Sequence, residues 1–548
     1  MGTQSGLKAI ALLVGCGLAL GATVTINGTE LVGSDLVSSS GQAIEFYTGI
    51  PYAEAPVGKL RFAPPVPRAL NDSSLNATNF GPACPQPEEG TGVAVDKQSE
   101  DCLSINVMRP MVISSNAALP VLVWVYGGGF YSGASLRFDS NDLVAQSIQR
   151  GTPVVFVSFN YRVGPLGFPQ GQEMDNQGLL NVGARDSLLA FEWVYRNIAA
   201  FGGDASKVTA VGSSAGGISL QILSLTNAIG PYIRGAIFMS GYAATSTPKP
   251  ASANQLPWSS FAALAGCAGG DVLSCLRDAD SAVVMDAVRK VVPKTTTNWW
   301  PSLDGVNGLM PDLPSNIWQA GGYTQVPSIS GTHLDDGTQF APAAIKNETL
   351  VRLLLKTLLS PPVDGHTDAE LQATIDQILD LYPDDPALGS PYNTGNETFG
   401  LSSQYKRVAS ILGDNMFHSQ RRLWQQHANE AGVPTYGYLF ADPPSDGSDP
   451  RLGVYHSLDV QYMFHNLTNA APESSTRLSE QVMDYWLSFV TSLDPNDGLG
   501  SERPAWPAYG SGDKVIMQLN GANLTAIPDD YRAQQIDYLN ANPGVLHH

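Results

Sequence analysis

Lys207-Val208-Thr209-Ala210-Val211-Gly212-Ser213-Ser214-Ala215-Gly216-Gly217-Ile218-Ser219-Leu220 reads as a buried strand, a sharp turn and a helix, with one serine held at the turn. Small residues flank that serine: Gly212 and Gly216 let the strand and the helix approach closely, and the hydroxyl of Ser214 is left exposed above the sheet. The chemistry of a serine so placed is acyl transfer. A bare G-x-S-x-G also arises by chance, and a serine in a turn is by default only a turn residue, so the surrounding segments have to carry the reading.

Those segments describe an α/β protein. Pro120-Val121-Leu122-Val123-Trp124-Val125-Tyr126 and Pro153-Val154-Val155-Phe156-Val157-Ser158-Phe159 are continuous apolar runs, the pattern of central strands covered on both faces. Between the second run and the elbow, residues 179–200 carry Leu188, Leu189, Phe191, Trp193, Val194 and Ile198 at helical spacing. Further strands are expected at 235–239, 326–330 and 435–440, and residues 345–432 read as a helical insertion capping one side of the sheet. A chain of 548 residues would accommodate several domains. No Pro/Ser-rich linker divides it, so residues 23–548 are read as a single domain with a mostly parallel sheet, flanking helices and large helical insertions.

Charged residues make up 15% of the chain and apolar residues 43%, an ordinary globular balance with ample core. The formal net charge of −20 disfavours nucleic acid and anionic membrane surfaces as partners. The apolar run 9–20, preceded by Lys8 and followed by Gly21-Ala22, is too short to span a bilayer and reads as a secretory signal peptide over residues 1–22. Leu13-Val14-Gly15-Cys16 also has the form of a bacterial lipoprotein box, but the apolar run continues past Cys16 and the chain carries N-x-S/T sequons at Asn27, Asn71, Asn76, Asn347, Asn396, Asn466 and Asn523. A secreted glycoprotein is the consistent expectation. Once Cys16 departs with the signal, Cys84, Cys102, Cys267 and Cys275 remain; local pairing would join Cys84 to Cys102 and Cys267 to Cys275, although spacing alone leaves three connectivities open. No C-x-x-C or H-E-x-x-H occurs, so no metal site is assigned and no cofactor is expected.

Attack by Ser214 on a carbonyl would place negative charge on its oxygen, and preorganised N–H donors must meet it. Tyr126 runs into Gly127-Gly128-Gly129-Phe130, and with the elbow downstream the amides of Gly128, Gly129 and Ala215 become the expected oxyanion hole. A base and an acid should follow in the order serine, acid, histidine. Gly331-Thr332-His333-Leu334-Asp335-Asp336-Gly337 places carboxylates just past a strand, and Leu452-Gly453-Val454-Tyr455-His456-Ser457-Leu458-Asp459 places a histidine in a Gly-bounded loop. His333, His366, His418, His427 and His465 have no comparable setting and read as structural or surface groups; His547 and His548 end the sequence.

Together these segments resemble the carboxylesterase type B family, which includes cholinesterases and large fungal lipases. The resemblance spans nearly all of the chain after residue 22. It is carried by Phe46-Tyr47-Thr48-Gly49-Ile50-Pro51-Tyr52-Ala53, Ser99-Glu100-Asp101-Cys102-Leu103, Tyr126-Gly127-Gly128-Gly129-Phe130, Asn160-Tyr161-Arg162, Phe201-Gly202-Gly203-Asp204 and the elbow. It implies an α/β-hydrolase fold and hydrolysis of a small-molecule ester without a cofactor. It also implies a triad of Ser214, Asp336 and His456, an oxyanion hole of Gly128, Gly129 and Ala215, and the two local disulfides above. Arg61 with Glu100, and Arg162 with Asp186, would be its structural ion pairs.

The chain departs from the family pattern in instructive ways. Asp336 stands where glutamate is usual, with Asp335 as a rival acid beside it, and Ser213 replaces the usual glutamate before the nucleophile. No tryptophan lies between Cys84 and Cys102, and Gln339 stands where an aromatic would follow the acid loop, so the cation–π cage of cholinesterases is not expected. Thr295 and Thr297 match the acyl-pocket aromatics and imply a wider or more polar acyl site. The segment 85–101, where lipases of the family carry an amphipathic lid, is short and polar. A carboxylesterase acting on soluble esters is therefore the first expectation, a lipase or sterol esterase the second, and a non-catalytic adhesion protein a remote third because the triad is intact.

Overall fold

In a computed structural model of the chain, residues 22–88, 92–111, 113, 117–294, 296–363, 365–510 and 512–548 are described, with the side chains of 294, 296 and 297 left aside. All but Ala22 of the signal-peptide reading, the whole lipoprotein alternative, Glu89 and Gly90 of the short polar segment, and the Thr295 and Thr297 comparison lie outside what is described.

An eleven-stranded sheet forms the centre. Its middle is parallel: Leu119–Val125 is flanked by Val155–Phe159 on one side and Gly203–Ser213 on the other, followed outward by Gly235–Met239, Ser328–His333, Thr435–Phe440 and Val515–Leu519. Antiparallel strands finish both ends, with Ser104–Pro110, Ala43–Pro51 and Ser34–Val37 at one edge and Thr525–Pro528 at the other. The continuous apolar runs become fully buried central strands because helices cover both faces. Val182–Asn197, Ala215–Leu225, Pro314–Ala320 and Ser419–Glu430 share one face, while Asn141–Gln149 and Glu473–Ser492 pack together on the other.

Chain order reverses around Leu119–Val125: the next strand joins one side of it and the strand after that joins the other. A crevice opens at the carboxyl ends of strands where such a reversal occurs, and ligands of open α/β sheets bind there. The Gly127–Gly129 turn and Ser214 emerge at this point, at the ends of Leu119–Val125 and Gly203–Ser213, whose register pairs Val125 with Gly212.

Two insertions project from the same end of the sheet. The first, between Gly235–Met239 and Ser328–His333, has its own core of Trp258, Phe261, Val284, Val288 and Trp299 packed on Phe62. The second, between Ser328–His333 and Thr435–Phe440, stacks Glu348–Leu358, Asp368–Leu381 and Ser403–Gly413 around Val351, Leu355, Ile375, Val408 and Phe417. Disulfides join Cys84 to Cys102 and Cys267 to Cys275. The Arg61–Glu100 and Arg162–Asp186 pairs are buried at 2.6 Å, and both arginines also donate to backbone carbonyls, Arg162 to that of Ala63 and Arg61 to those of Leu276 and Ala279, so they tie loops together. No helix among the described residues is long and apolar enough to cross a membrane.

Candidate active site

Ser214 has φ 53° and ψ −127°, a conformation that L-residues hold only when neighbours enforce it. The neighbours are glycines. A Cβ on Gly216 would lie 2.0 Å from the Val125 carbonyl oxygen, one on Gly212 would meet the Gly216 carbonyl carbon at 2.7 Å, and one on Gly241 would lie 2.2 Å from the Ser214 carbonyl oxygen. The Ser214 amide donates to Met239 O at 2.8 Å, which locks the turn to the adjacent strand. Strand, turn and helix thus close around a serine whose side chain is directed to the crevice side, as the sequence implies.

The glycine turn abuts it. A Cβ on Gly127 would sit 2.8 Å from Ser214 Cβ, and Gly128 and Gly129 adopt φ 125° and 59°, so only glycine fits this close approach without strain. The amides of Tyr131 and Ser132 and the Ser132 hydroxyl all donate to the Gly128 carbonyl, pinning the turn, while the Gly128 and Gly129 amides donate to no backbone carbonyl among the described residues. Ala215 opens its helix, where the first amides have no intrahelical acceptor. These three amides are the N–H groups near Ser214 that an oxyanion could use.

Of the two adjacent acids, Asp336 reaches the histidine. His456 Nδ1 lies 2.7 Å from Asp336 Oδ1, and the rest of the carboxylate accepts from the His333 amide at 2.7 Å and the Ser240 hydroxyl at 3.0 Å. Burial alone would push the carboxyl up, but the His333 charge and the hydrogen bonds from His333 and His456 outweigh it and hold Asp336 well below the usual carboxylate range. Asp335 points away. It accepts from Ser390 Oγ, the Tyr392 amide and the Val454 amide, at 2.8, 2.8 and 2.9 Å, and so braces the loop that carries His456. Burial lifts Asp335 to about 6 against those bonds.

His456 is packed on Phe417 and Phe340, with ring centroids at 4.7 and 5.2 Å. Phe417 sits on a π-helical turn, Asp414–His418, a distortion found mostly at functional sites. Ser457, at φ 65°, places its hydroxyl 3.0 Å from that of Ser213, so the residue standing where glutamate is usual links the elbow to the histidine loop. His456 Nε2 is buried without a hydrogen-bond partner among the described residues, and His456 and Ser214 line the same cavity of about 750 Å³. Such an orphaned nitrogen in a native interior calls for an explanation.

The sequence reading missed His333. It was grouped with structural and surface histidines, yet its Nδ1 lies 2.8 Å from Ser240 Oγ and 3.2 Å from Asp336 Oδ1, and its Nε2 lies 3.1 Å from Asp459 Oδ1. Its place at the end of Ser328–His333, three residues before Asp336, was the available signal. His418 is buried beside Thr332 and Tyr531, and burial pushes it down to about 3, so it stays neutral. His465 bonds Ser479 Oγ, while His366 and His427 are partly exposed. His333, Asp336 and His456 have the composition of a metal cluster, but their contacts match direct hydrogen bonds.

The cavity walls mix aromatic and polar groups. Tyr131, Phe138, Trp300, Phe340 and Phe464 line it together with Ser132, Arg137, Asp139, Gln339 and Gln461, and the rings come from segments too far apart in sequence to form a motif. Trp300 and Phe340 also wall a neighbouring chamber of about 190 Å³, bounded by Leu354, Leu358, Leu412 and Met416 with Lys249 at its edge. Lys249 donates to Thr357 O and Ser360 O at the end of Glu348–Leu358, and burial lowers it to about 8. All seven sequon asparagines are exposed, and Asn466 also lines the large cavity.

A strained serine between strand and helix, at the crevice of a mostly parallel sheet and beside an acid–histidine pair from later loops, defines an α/β-hydrolase-fold protein. The carboxylesterase family model matches residues 21–539. The chain belongs to the carboxylesterase family and is a carboxylic ester hydrolase. It is 32% identical to Lipase 2 of Geotrichum candidum, over 93% of this chain and 94% of that one, and 33% identical to the secreted triacylglycerol lipase LIP1 of Gibberella zeae, over 96% and 91%. Among solved structures it is similar in fold to Aspergillus niger EstA, with a TM-score of 0.82, 23% identity, and coverage of 96% of this chain and 99% of that one.

Proposed function

We propose that the protein is a secreted serine esterase that cleaves esters through an acyl-enzyme, with Ser214 as nucleophile, His456 as general base and Asp336 as its orienting acid. The observation that carries this reading is the 2.7 Å bond from His456 Nδ1 to Asp336, which fixes the tautomer and leaves Nε2 without a partner among the described residues in the cavity that Ser214 lines. Nε2 takes the Ser214 proton as Oγ bonds to the ester carbonyl carbon, and the amides of Gly128, Gly129 and Ala215 receive the oxyanion. Collapse expels the alcohol, which leaves with the proton from His456. Water, deprotonated by the same nitrogen, then attacks the acyl-enzyme; the acyl–Oγ bond breaks, Ser214 Oγ takes the proton back from His456, and the acid leaves. No step of this sequence requires a metal or cofactor.

The substrate is a neutral ester small enough for the cavity that Ser214 and His456 line. Residues 1–22 serve as the signal peptide, residues 23–548 act as one catalytic domain, and the exposed sequons carry glycans. A second reading, a lipase, is supported by the apolar chamber behind Trp300 and Phe340 and by the names of the relatives. Hydrolysis of p-nitrophenyl acetate by the wild type and by Ser214→Ala and His456→Ala tests the mechanism. Each variant should lose on the order of 10⁴–10⁶ in kcat while keeping its fold; near-normal turnover in either would reject the assignment.

A further inference from the structure

His333 and Asp459 stand immediately behind the acid–histidine pair, each in a segment that also supplies a triad member. The His333 ring is fully buried and bonded on both sides. Nδ1 faces Ser240 Oγ at 2.8 Å and Asp336 Oδ1 at 3.2 Å; the Ser240 hydroxyl in turn donates to Asp336 Oδ2. Nε2 accepts from the Asp459 amide at 3.1 Å and also lies 3.1 Å from Asp459 Oδ1. Asp459 is itself fully buried, with Oδ2 accepting from the Tyr438 hydroxyl at 2.6 Å; Oδ1 has no hydrogen-bond donor among the described residues, and a proton on Nε2 would face it in place of the amide. A buried carboxylate oxygen without a donor is costlier than one unpaired amide, so the arrangement favours a proton on each ring nitrogen.

We propose that His333, clamped between Asp336 and Asp459, is a positioning residue that keeps a positive charge behind the triad and orients the Asp336 carboxylate. The inference rests on the triad reading above. His333 and His456 share Asp336 and lie 6.3 Å apart between ring centroids. The His333 charge holds the shared carboxylate ionised, in place for its 2.7 Å bond to His456 Nδ1.

The other groups facing this pair do not supply that charge. Asp336 comes from the loop after the His333 strand and Asp459 from the helix after His456. From the π-helical turn, His418 is neutral, and the Asp414 beside it is paired with Arg532. Tyr242 and Tyr438 are held protonated by burial, far above their ordinary range. Arg421 is spent on Asp529. Burial opposes charge on His333 itself, yet Asp459 and Asp336 together lift it to about 10.

The test uses the intact protein with ¹⁵N-labelled histidine. One imidazole should show the pattern of two protonated nitrogens at pH 8, and that signal should vanish in His333→Asn. Asn keeps a donor toward Asp336 and removes the charge, so the kcat/KM plateau should stay within about tenfold of wild type. His333→Phe removes the donor as well and should lower the plateau by a further 10- to 100-fold, roughly the worth of one or two charge-assisted hydrogen bonds. A neutral His333 at pH 8, or a His333→Phe as active as His333→Asn, overturns the proposal. Failure of the triad reading looks different: Ser214→Ala would then retain activity whatever stands at position 333.

Discussion

Replacing Asp336 by asparagine is the sharpest probe of the site, because the four donors around this carboxylate leave no room for an amide nitrogen. Oδ1 faces Nδ1 of His456 at 2.7 Å and of His333 at 3.2 Å; Oδ2 faces the His333 amide at 2.7 Å and the Ser240 hydroxyl at 3.0 Å. An NH₂ in the Oδ2 position meets the backbone N–H of His333 and leaves it orphaned. Turned the other way, it meets His456 and drives the ring to the tautomer with its proton on Nε2, which can no longer accept one from Ser214. Hydrogen bonds to charged groups are worth about 1.5–3 kcal/mol each. Losing two of them, or the correct tautomer, should lower kcat on the order of 10³–10⁴-fold, about 4–5.5 kcal/mol of barrier. Asp335→Asn is the control. Asp335 touches Ser390, Tyr392 and Val454 but not the base, so its variant should stay within about tenfold of wild type, the effect of one weakened loop contact. The assay is kcat on a neutral p-nitrophenyl ester, with circular dichroism to confirm that both variants are folded. A mild Asp336→Asn, or an Asp335→Asn that is the worse of the two, would refute the reasoning and move the acid.

Gly216→Ala should destabilise the protein by about 1–3 kcal/mol and impair turnover, because its Cβ would fall 2.0 Å from Val125 O at the root of the glycine turn; a wild-type denaturation curve would contradict this. His418, His547 and His548, which burial pushes down to about 3, 4 and 3, stay neutral when folded and gain protons on unfolding below an ordinary histidine pKa of ~6.5. Stability should therefore fall as pH drops from ~6.5 toward 4, partly offset by Asp335, which holds its proton when folded; proton uptake on unfolding near pH 5, measured by calorimetry in two buffers, checks the sign. Leu358→Trp should narrow the side chamber and cut kcat/KM for decanoate esters by at least about tenfold while sparing acetate, and equal effects on both would remove that chamber from the acyl path. A glycan on Asn466 would stand at the cavity mouth, so Asn466→Gln should favour bulky esters over small ones relative to wild type; an unchanged ratio would place the sugar clear of the entrance.

The central strands were legible because their signal is local. Burial on both faces demands continuous apolar runs, and 235–239 and 435–440 were bounded as the structure has them. The strand expected at 326–330 runs instead over Ser328–His333, since pairing with Thr435–Phe440 continues past the apolar stretch into Gly331-Thr332-His333, where backbone bonding needs no apolar side chain. The helical insertions were visible as periodicity. Their separate cores were not, because Phe62 or Leu546 joins such a core only through contacts between remote segments. The rings that line the cavity escaped for the same reason.

The site shows the same division at the level of single residues. Ser214, Gly128 and Gly129 announce themselves because strained backbone requires particular residues at fixed offsets, which a sequence displays directly. Asp335 and Asp336 do not separate in this way: they are adjacent, identical in chemistry and both buried. Their fates diverge through partners that lie 50 to 120 positions away, Ser390 and Val454 for one and His456 for the other. His333 was unreadable for a further reason. A histidine before an acidic turn carries no information about charge until Asp459, from another loop, is placed 3.1 Å from its far nitrogen. Backbone strain is written locally and electrostatic partnership is not. The partners that separate two adjacent acids are therefore ones that only the folded chain reveals.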